Sequence, residues 1–181
     1  WQLGPDGQVD GPSGWVGALA HDPARDRLFA AELRSQRMIV LDRLGAVQGG
    51  WPFGAGAFAA IADIAVQPGG GLMLINRTTG DIELRDPGDG RVAARWPVNG
   101  SPQRIAADPS DDNPGGAFVL TNEGDVWRYA ADGTVRAWWD AGSLPGGQRA
   151  TPSDIVATAD GRVHATDGTG NRVVVYARDP E

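Results

Sequence analysis

The sequence predicts an all-β protein in which a small antiparallel sheet of four strands recurs about four times. Three observations support this prediction. A short β-like segment opens each unit, with its central apolar residue at Leu19, Ile64, Ile105 and Ile155. A turn glycine recurs at Gly7, Gly45, Gly90 and Gly133, and a tryptophan follows the last three at Trp51, Trp96 and Trp139. All three markers keep one period of about 43 residues, so chance is a poor explanation.

The strands within each unit are short, apolar and bounded by turn residues. In the first unit, residues 28–31 fit the second-strand position better than a helix. The second unit predicts strands over residues 64–66, 72–75, 81–84 and 92–96. The fourth predicts strands over residues 154–157, 162–166 and 172–176, the first two joined by a tight turn at Asp160-Gly161. No stretch of the chain shows a sustained 3.6-residue apolar period.

Composition excludes several classes of function. The 181 residues include 27 glycines and 13 prolines, yet 41% are hydrophobic, which indicates a packed, turn-rich protein. The net charge of −7 argues against nonspecific nucleic-acid binding, and we expect no nucleic-acid partner. The absence of cysteine excludes disulfides and thiolate metal sites. No apolar run approaches the roughly 20 residues that span a bilayer, and no signal peptide opens the sequence. Since the first residue is Trp1, we expect a processed or excised product.

A four-stranded unit repeated every 40 to 45 residues or so is typical of the blades of a β-propeller. Both faces of a blade pack on neighbouring blades, which explains near-continuous apolar strands such as residues 173–176. We expect the recurrent tryptophans to fill the gap between blades, with the indole N–H free to reach a carbonyl. The predicted units are a blade remnant over residues 1–12 and blades over approximately residues 13–57, 58–100, 101–150 and 151–181.

The fourth unit, TPSDIVATADGRVHATDGTGNRVVVYARD, resembles an NHL repeat. Pro152, Ile155, the Asp160-Gly161 turn, Val163, Asp167, the Asn171-Arg172 pair and the valine-rich third strand occupy that family's pattern positions. In this interpretation Asn171 adopts the left-handed conformation, Asp167 closes its turn and Arg172 ties adjacent loops together. The other units match less well, and two of them also resemble quinoprotein-type propeller repeats.

The number of blades in the complete ring has two interpretations. We favour four blades of a larger ring, because rings of NHL-like repeats commonly have six. The alternative is a closed ring of four blades, in which an N-terminal strand over residues 8–10 supplies the missing outer strand of the last blade. Further blades or another chain would complete the larger ring.

The residues that come just before the inner strands, together with the loops beside them, predict a site at one mouth of the central channel. The candidates are Asp63, Arg77, Arg104, Asp154 and Asp167. An arginine among carboxylates indicates recognition of an anion or carboxylate, since guanidinium forms bidentate pairs with such groups. The alternative is that these charges pair with one another and only hold the loops together.

A second candidate site is an acidic stretch that contains Asp108, Asp111, Asp112 and Asn113. Its oxygens are the ligands that calcium prefers, although the alternating spacing of a dedicated calcium loop is missing. The simpler interpretation is an insertion between the first and second strands of its unit. The two histidines, His21 and His164, fall at opposite ends of the fold, so we expect no site with several histidines.

These observations favour a non-catalytic binding or scaffold module that presents loops to a protein, peptide or glycan partner. Three tryptophans are candidates for partner contact: Trp51, Trp138 and Trp139. Trp138 and Trp139 are adjacent in a predicted strand, so they face opposite ways and one is free for a partner. We expect no cofactor, calcium excepted.

Two other functions stay open. One is a propeller lyase or lactonase-type hydrolase, with a divalent ion held at the axis by Asp63, Asp154 and Asp167. The other is a structural subunit of an extracellular assembly, in which open blade edges pair with neighbouring chains. By analogy with bacterial propellers of this type, we expect an extracellular, periplasmic or cell-surface location.

Overall fold

The computed structural model describes residues 16–33, 36–53, 61–140 and 150–176, and the regular structure in these ranges is entirely β. Blade 1 consists of β1 (Val16–Asp22), β2 (Arg27–Glu32), β3 (Arg37–Asp42) and β4 (Val47–Pro52). Blade 2 consists of β5 (Ile61–Val66), β6 (Leu72–Asn76), β7 (Asp81–Arg85) and β8 (Val92–Pro97). Blade 3 consists of β9 (Pro102–Ala107), β10 (Ala117–Thr121), β11 (Asp125–Tyr129) and β12 (Val135–Asp140). Blade 4 consists of β13 (Pro152–Ala157), β14 (Val163–Asp167) and β15 (Arg172–Tyr176).

Each blade is an antiparallel sheet whose strands pair in chain order. The sheets of blades 1 to 3 have four strands, and the described part of blade 4 has three. The four sheets follow one another as the blades of a β-propeller, which confirms the predicted fold class. Every described sheet falls within one of the predicted units, whereas the proposed remnant over residues 1–12 and the closing strand over residues 8–10 lie outside the described residues. No helix in the described ranges has the length and apolar character needed to cross a membrane.

The turns between strands use residues that tolerate a positive φ. The glycines between third and fourth strands take φ values of 84° at Gly45, 74° at Gly90 and 84° at Gly133. Asn171, just before β15, has a φ of 48°, and Gln36 holds the same place before β3 with a φ of 56°. The left-handed conformation predicted for Asn171 is therefore confirmed, and blade 1 repeats it with a glutamine.

The inner strands of consecutive blades pack side by side, β1 on β5, β5 on β9 and β9 on β13. Each inner strand shifts its register against the second strand near its own beginning, for example between Ile61 and Ile64 in β5. The same irregularity occurs in β1, β9 and β13. Such bulges bend a strand and redirect its side chains. They fall where the candidate channel-mouth residues begin the inner strands.

Most of the hydrophobic core lies between the blades, and one smaller cluster lies on the sheet of blade 1. Strand β6 shows this plainly, because Leu72 and Leu74 pack toward blade 1 while Met73 and Ile75 pack toward blade 3. A third cluster, around Phe118, joins blade 3 to blade 4. Since both faces of a middle blade are buried, its second strand is almost wholly apolar instead of alternating with polar residues.

The periodic tryptophans and glycines meet across the blade junctions. Trp51 of β4 is buried against the turn glycine Gly90 of blade 2, and Trp96 of β8 lies in the same way against Gly133 of blade 3. Arg85 lies over the Trp51 ring and donates to the Gly90 carbonyl at 2.9 Å. The prediction that these tryptophans fill the gap between blades is confirmed for Trp51 and Trp96. Their indole nitrogens reach no carbonyl among the described residues.

Candidate functional site

Three of the predicted channel-mouth residues form a row across neighbouring inner strands. Asp63 lies on β5, Arg104 on β9 and Asp154 on β13, each immediately before the buried isoleucine of its strand. Because these strands pack side by side, the row crosses blades 2, 3 and 4 in turn. We call these three side chains the charged row. Two negative groups flank one positive group, so at neutral pH the row carries a net charge of −1 when all three are ionised.

Asp63 is fixed across the junction between blades 2 and 3. Its Oδ2 accepts the backbone N–H of Ile105 at 3.0 Å, which ties the inner strand of one blade to the side chain of the previous one. Burial raises the pKa of Asp63, while the Ile105 N–H and the positive charge of Arg104 act in the opposite direction. Asp63 therefore forms the rigid end of the charged row.

Arg104 and Asp154 form the more accessible end. The Arg104 Nε lies 3.8 Å from the Asp154 Oδ1, and Arg104 also donates to the carbonyl of Gln103 at 2.9 Å. The side chains of Arg104 and Asp154 are 33% and 67% exposed. An ion pair that is this long and this exposed contributes little to stability, on the order of 0 to 1 kcal/mol. Both groups remain available to a ligand.

Two predicted members do not join the charged row. Arg77 is exposed on the turn after β6. Asp167 is almost wholly buried at the end of β14. Its carboxylate accepts the backbone N–H groups of Thr151 at 3.0 Å and Gly170 at 3.2 Å, and the Arg172 Nε at 2.9 Å. These donors engage the carboxylate in closing its own turn, so Asp167 does not join the charged row, and its place at the channel mouth stays a prediction. The turn-closing role predicted for it is confirmed.

A further polar contact near the channel mouth involves Glu123, which the sequence did not single out. Its carboxylate accepts the Ser101 backbone N–H at 3.0 Å and the Ser101 hydroxyl at 2.7 Å. These donors lower the pKa of Glu123 to about 2. The contact ties the turn after β10 to the segment that enters blade 3. Asp167 makes the equivalent tie to Thr151 in blade 4, so the repeat alignment itself was the signal that could have found Glu123.

The acidic stretch is a buried ion-pair network. Asp108 is fully buried and accepts the Arg128 Nε at 2.7 Å, the Asn113 side-chain amide at 2.8 Å and the Ser110 backbone N–H at 3.0 Å. The Ser110 hydroxyl also donates to Asp108. Arg128 reaches Asp112 at 3.0 Å as well.

These contacts give the acidic stretch a structural role. The bonds to Asp108 and Asp112 raise the pKa of Arg128, although burial alone would lower it. The Asp108 oxygens therefore face donors of this chain, while Asp111 is exposed outside the network. The segment lies between β9 and β10, where the insertion was predicted. Calcium binding here stays a prediction.

The three candidate tryptophans differ in exposure. Trp51 is buried between blades 1 and 2, so the prediction that it contacts a partner is wrong: blade packing leaves only 5% of it exposed. Trp139 packs against the cluster between blades 3 and 4, with its ring 6.2 Å from that of Phe118. Trp138 points the other way, is 50% exposed and lies beside Trp127 at a ring separation of 5.7 Å. Trp138 is the one that a partner can reach.

The histidines lie in different blades. His21, on β1, is 3.9 Å from Asp26, and His164 lies on β14 of blade 4. Within the described ranges, no three side chains of the histidine, cysteine, aspartate or glutamate type are grouped so as to hold a metal ion. The axial carboxylate set of the lyase hypothesis is also not assembled, since Asp167 is engaged apart from the charged row.

The fold and the charged row define the chain as a β-propeller with polar groups on its inner strands. No protein-family model matches the chain, and no curated protein matches it. Among solved structures, it is similar to streptogramin B lyase, with a TM-score of 0.63 and 16% identity over 96% of this chain. It is also similar to Raptor from Chaetomium thermophilum, with a TM-score of 0.66 and 16% identity over 93% of the chain. A protein of unknown function from Bacteroides caccae gives a TM-score of 0.69 and 13% identity over 93% of the chain.

These similarities extend to part of each matched protein. The chain spans 58% of the streptogramin B lyase chain, 16% of the Raptor chain and 66% of the Bacteroides caccae chain. At such low identities the likeness shows the propeller fold alone. The same fold serves proteins with different functions, so the function of this chain has to be argued from its own site.

Proposed function

We propose that this propeller is a non-catalytic binding module that holds a peptide segment of its partner across the charged row. The observation that carries the proposal is the alignment of Asp63, Arg104 and Asp154 on three adjacent inner strands, with one end rigid and the other accessible. A ligand site in a propeller lies where such residues converge at one end of the channel, and few but well-placed polar groups set its orientation.

The alternating charges of the row favour a ligand that carries both signs. Arg104 offers planar donors that pair with a carboxylate, and the exposed carboxylate of Asp154 accepts from a basic side chain. A peptide with one acidic and one basic residue satisfies both groups. A purely anionic ligand fits less well, because two carboxylates already flank Arg104 and the whole chain is acidic.

The alternative is a lyase or lactonase-type hydrolase with a divalent ion at the axis. Its support is the propeller fold shared with a lyase and the pair of carboxylates in the charged row. No arrangement of the described residues favours it over binding, since neither histidine belongs to the row. Peptide binding is therefore the hypothesis to test first.

The test is an NMR titration that follows the backbone amides of Ile105 and Arg104. The first probe is the capped peptide acetyl-Glu-Gly-Arg-amide, and the second is the neutral acetyl-Gln-Gly-Gln-amide. We expect saturable shifts with the charged peptide and binding at least tenfold weaker with the neutral one. Arg104→Gln should weaken the charged peptide at least tenfold, whereas the exposed Arg136→Gln serves as the matched control and should not.

The proposal fails if the charged peptide produces no saturable shift in the native chain. It also fails if Arg104→Gln and Arg136→Gln bind the charged peptide equally well, since the contact would then be a general surface effect.

A further inference from the structure

The two ends of the blade series present faces that correspond to buried faces elsewhere in the molecule. We call the side of a blade that faces the preceding blade its front face, and the side that faces the following blade its back face. Each of the three junctions joins one back face to one front face. Among the described strands, no contact of similar extent joins blade 4 to blade 1. This leaves exposed the inner strand on the front face of blade 1 and the back face of blade 4.

The back face of blade 4 is apolar and exposed. Val173 is the second residue of β15, and the residues in the same place on the third strands of blades 1 to 3 are Met38, Ile82 and Val126, each 0% exposed. Val173 itself is 61% exposed. Val156 repeats the pattern, since it is 58% exposed where the equivalent Ala65 and Ala106 are buried at 8% and 9%. Val175 extends the same surface.

The inner strand on the front face of blade 1 provides the other half of such a junction. Leu19 aligns with Ile64, Ile105 and Ile155, which are 3%, 4% and 8% exposed because each packs on the blade before it. Leu19 is 60% exposed, and Val16 on the same strand is 50% exposed. Farther out on this face, Ala30, Ile39 and Leu41 already form a small buried cluster. The free part is therefore the inner strand, which dominates the contact at the junctions inside the chain.

A polar contact of the internal junctions also has an exposed counterpart at the ends of the blade series. Asp63 of blade 2 accepts the backbone N–H of Ile105 in blade 3. Asp154 holds the place of Asp63 in blade 4, and Leu19 holds the place of Ile105 in blade 1. The Asp154 side chain is 67% exposed. A blade 1 placed after blade 4 would bring the Leu19 N–H to Asp154 as the internal junction brings Ile105 to Asp63.

We infer that the occupant of these faces is a second copy of this chain, joined head to tail, with the back face of blade 4 of each copy packed on the front face of blade 1 of the other. One chain carries both halves of the junction, so a second copy supplies each missing half with the chemistry that three junctions already use. A head-to-tail contact forms a closed ring when its rotation closes. Two copies would give eight blades, within the range of roughly four to eight known for propellers.

The experiment is native mass spectrometry with sedimentation velocity on the 181-residue chain at micromolar concentrations. We expect a dimer. Leu19→Asp and Val173→Asp place a charge on one half of the junction each, and each should weaken dimerisation at least 100-fold. Both positions are exposed, so the monomers should still fold, which circular dichroism checks. Val135→Asp is the matched control, since Val135 is also exposed but lies on the outer strand of blade 3.

Mixing the two variants tests the head-to-tail geometry. Leu19→Asp keeps a native back face and Val173→Asp keeps a native front face, so the mixture should form a one-to-one dimer that neither variant forms alone. A monomeric native chain would overturn the inference. A dimer that tolerates Val173→Asp or Leu19→Asp would also overturn it, since that dimer would use another surface. An open series of larger oligomers would rule out the closed ring.

Discussion

The indole of Trp51 in blade 1 lies so close to Gly90 in blade 2 that a Cβ on Gly90 would overlap its ring. Trp96 and Gly133 repeat this relationship between blades 2 and 3. Two of the three markers that reveal the repeat in the sequence, the tryptophan and the turn glycine, thus contact each other between successive blades. Glycine is required at position 90 for two reasons: its φ of 74° is left-handed, and no side chain fits beneath the Trp51 ring.

Replacing Gly90 should therefore destabilise the protein more than its backbone conformation alone explains. We expect Gly90→Ala to lower the free energy of unfolding by about 3 kcal/mol, through backbone strain of about 1–2 kcal/mol and overpacking against Trp51 of about 1–3 kcal/mol. Gly161→Ala is the matched control, since Gly161 has a φ of 78° and open space around it. It should cost about 1–2 kcal/mol. Urea unfolding measures both, and equal losses would argue against the Trp51 contact.

The Asp108–Arg128 pair should be the most sensitive polar contact of blade 3. Asp108→Ala leaves the buried guanidinium of Arg128 without its main partner, and breaking such a pair costs about 3–5 kcal/mol. Asp111→Ala, at an exposed position of the same stretch, should change the free energy of unfolding by less than about 0.5 kcal/mol. Chemical denaturation compares the two, and similar losses would contradict the network.

Calcium provides an independent test of the same segment. If Asp108 is committed to Arg128, millimolar calcium should leave the Tm of the native chain unchanged. A rise in Tm that Asp108→Asn abolishes would instead identify the stretch as a calcium site. Titration calorimetry with calcium alone should show no heat of binding if the Tm is unchanged, and saturable heat if the Tm rises.

Ionisation of Asp63 should change the stability of the fold with pH in the direction opposite to that of most carboxylates. Burial raises its pKa above 3.8, so the folded state holds the proton more tightly than the unfolded state. This contribution is fully present below pH 3.8 and is lost as the pH rises through the folded pKa. Asp63→Asn keeps an oxygen for the Ile105 N–H and removes the titration, so its stability relative to the native chain should improve from pH 3 to 7. A difference that does not change with pH would contradict the raised pKa.

Glu123 should titrate in the opposite sense. Its pKa is lowered to about 2 by the Ser101 donors, so the stability it contributes is present above pH 4.5 and lost as the pH falls toward 2. Carbon-detected NMR of the side-chain carboxyl measures the midpoint directly. Ser101→Ala removes the hydroxyl donor and keeps the backbone N–H, so the midpoint should rise part of the way toward 4.5. A midpoint unaffected by Ser101→Ala would mean that the hydroxyl has no role.

Much of the fold was predictable because each strand is marked locally. Apolar segments between Asp-Gly turns define the strands, and the repeat of Ile64, Ile105 and Ile155 places the inner strand of each blade. The same alignment located the charged row, since Asp63, Arg104 and Asp154 each precede one of those isoleucines. The repeat in the sequence therefore predicts both the strands of each blade and the order of the blades around the axis.

The errors arose where a side chain finds its partner in another strand. Trp51 was a candidate for partner contact, but its neighbour is the glycine of the next blade. The structural role of the acidic stretch was hidden in the same way, because its partner, Arg128, lies on β11. One signal was available: a lone arginine in an otherwise apolar strand must be paired when that strand is buried. Arg85, paired with Glu83 in β7, follows the same rule.

The placement of the core between blades also determines how the molecule opens. Blades 2 and 3 are each held on two sides, whereas blades 1 and 4 are held on one side within the chain. In such nearest-neighbour architectures local opening begins at the end units and proceeds inward. Amide hydrogen exchange in a single copy should therefore be slowest in β6 and β10. The exchange rates of β2 and β14 should fall when a second copy packs on the end blades.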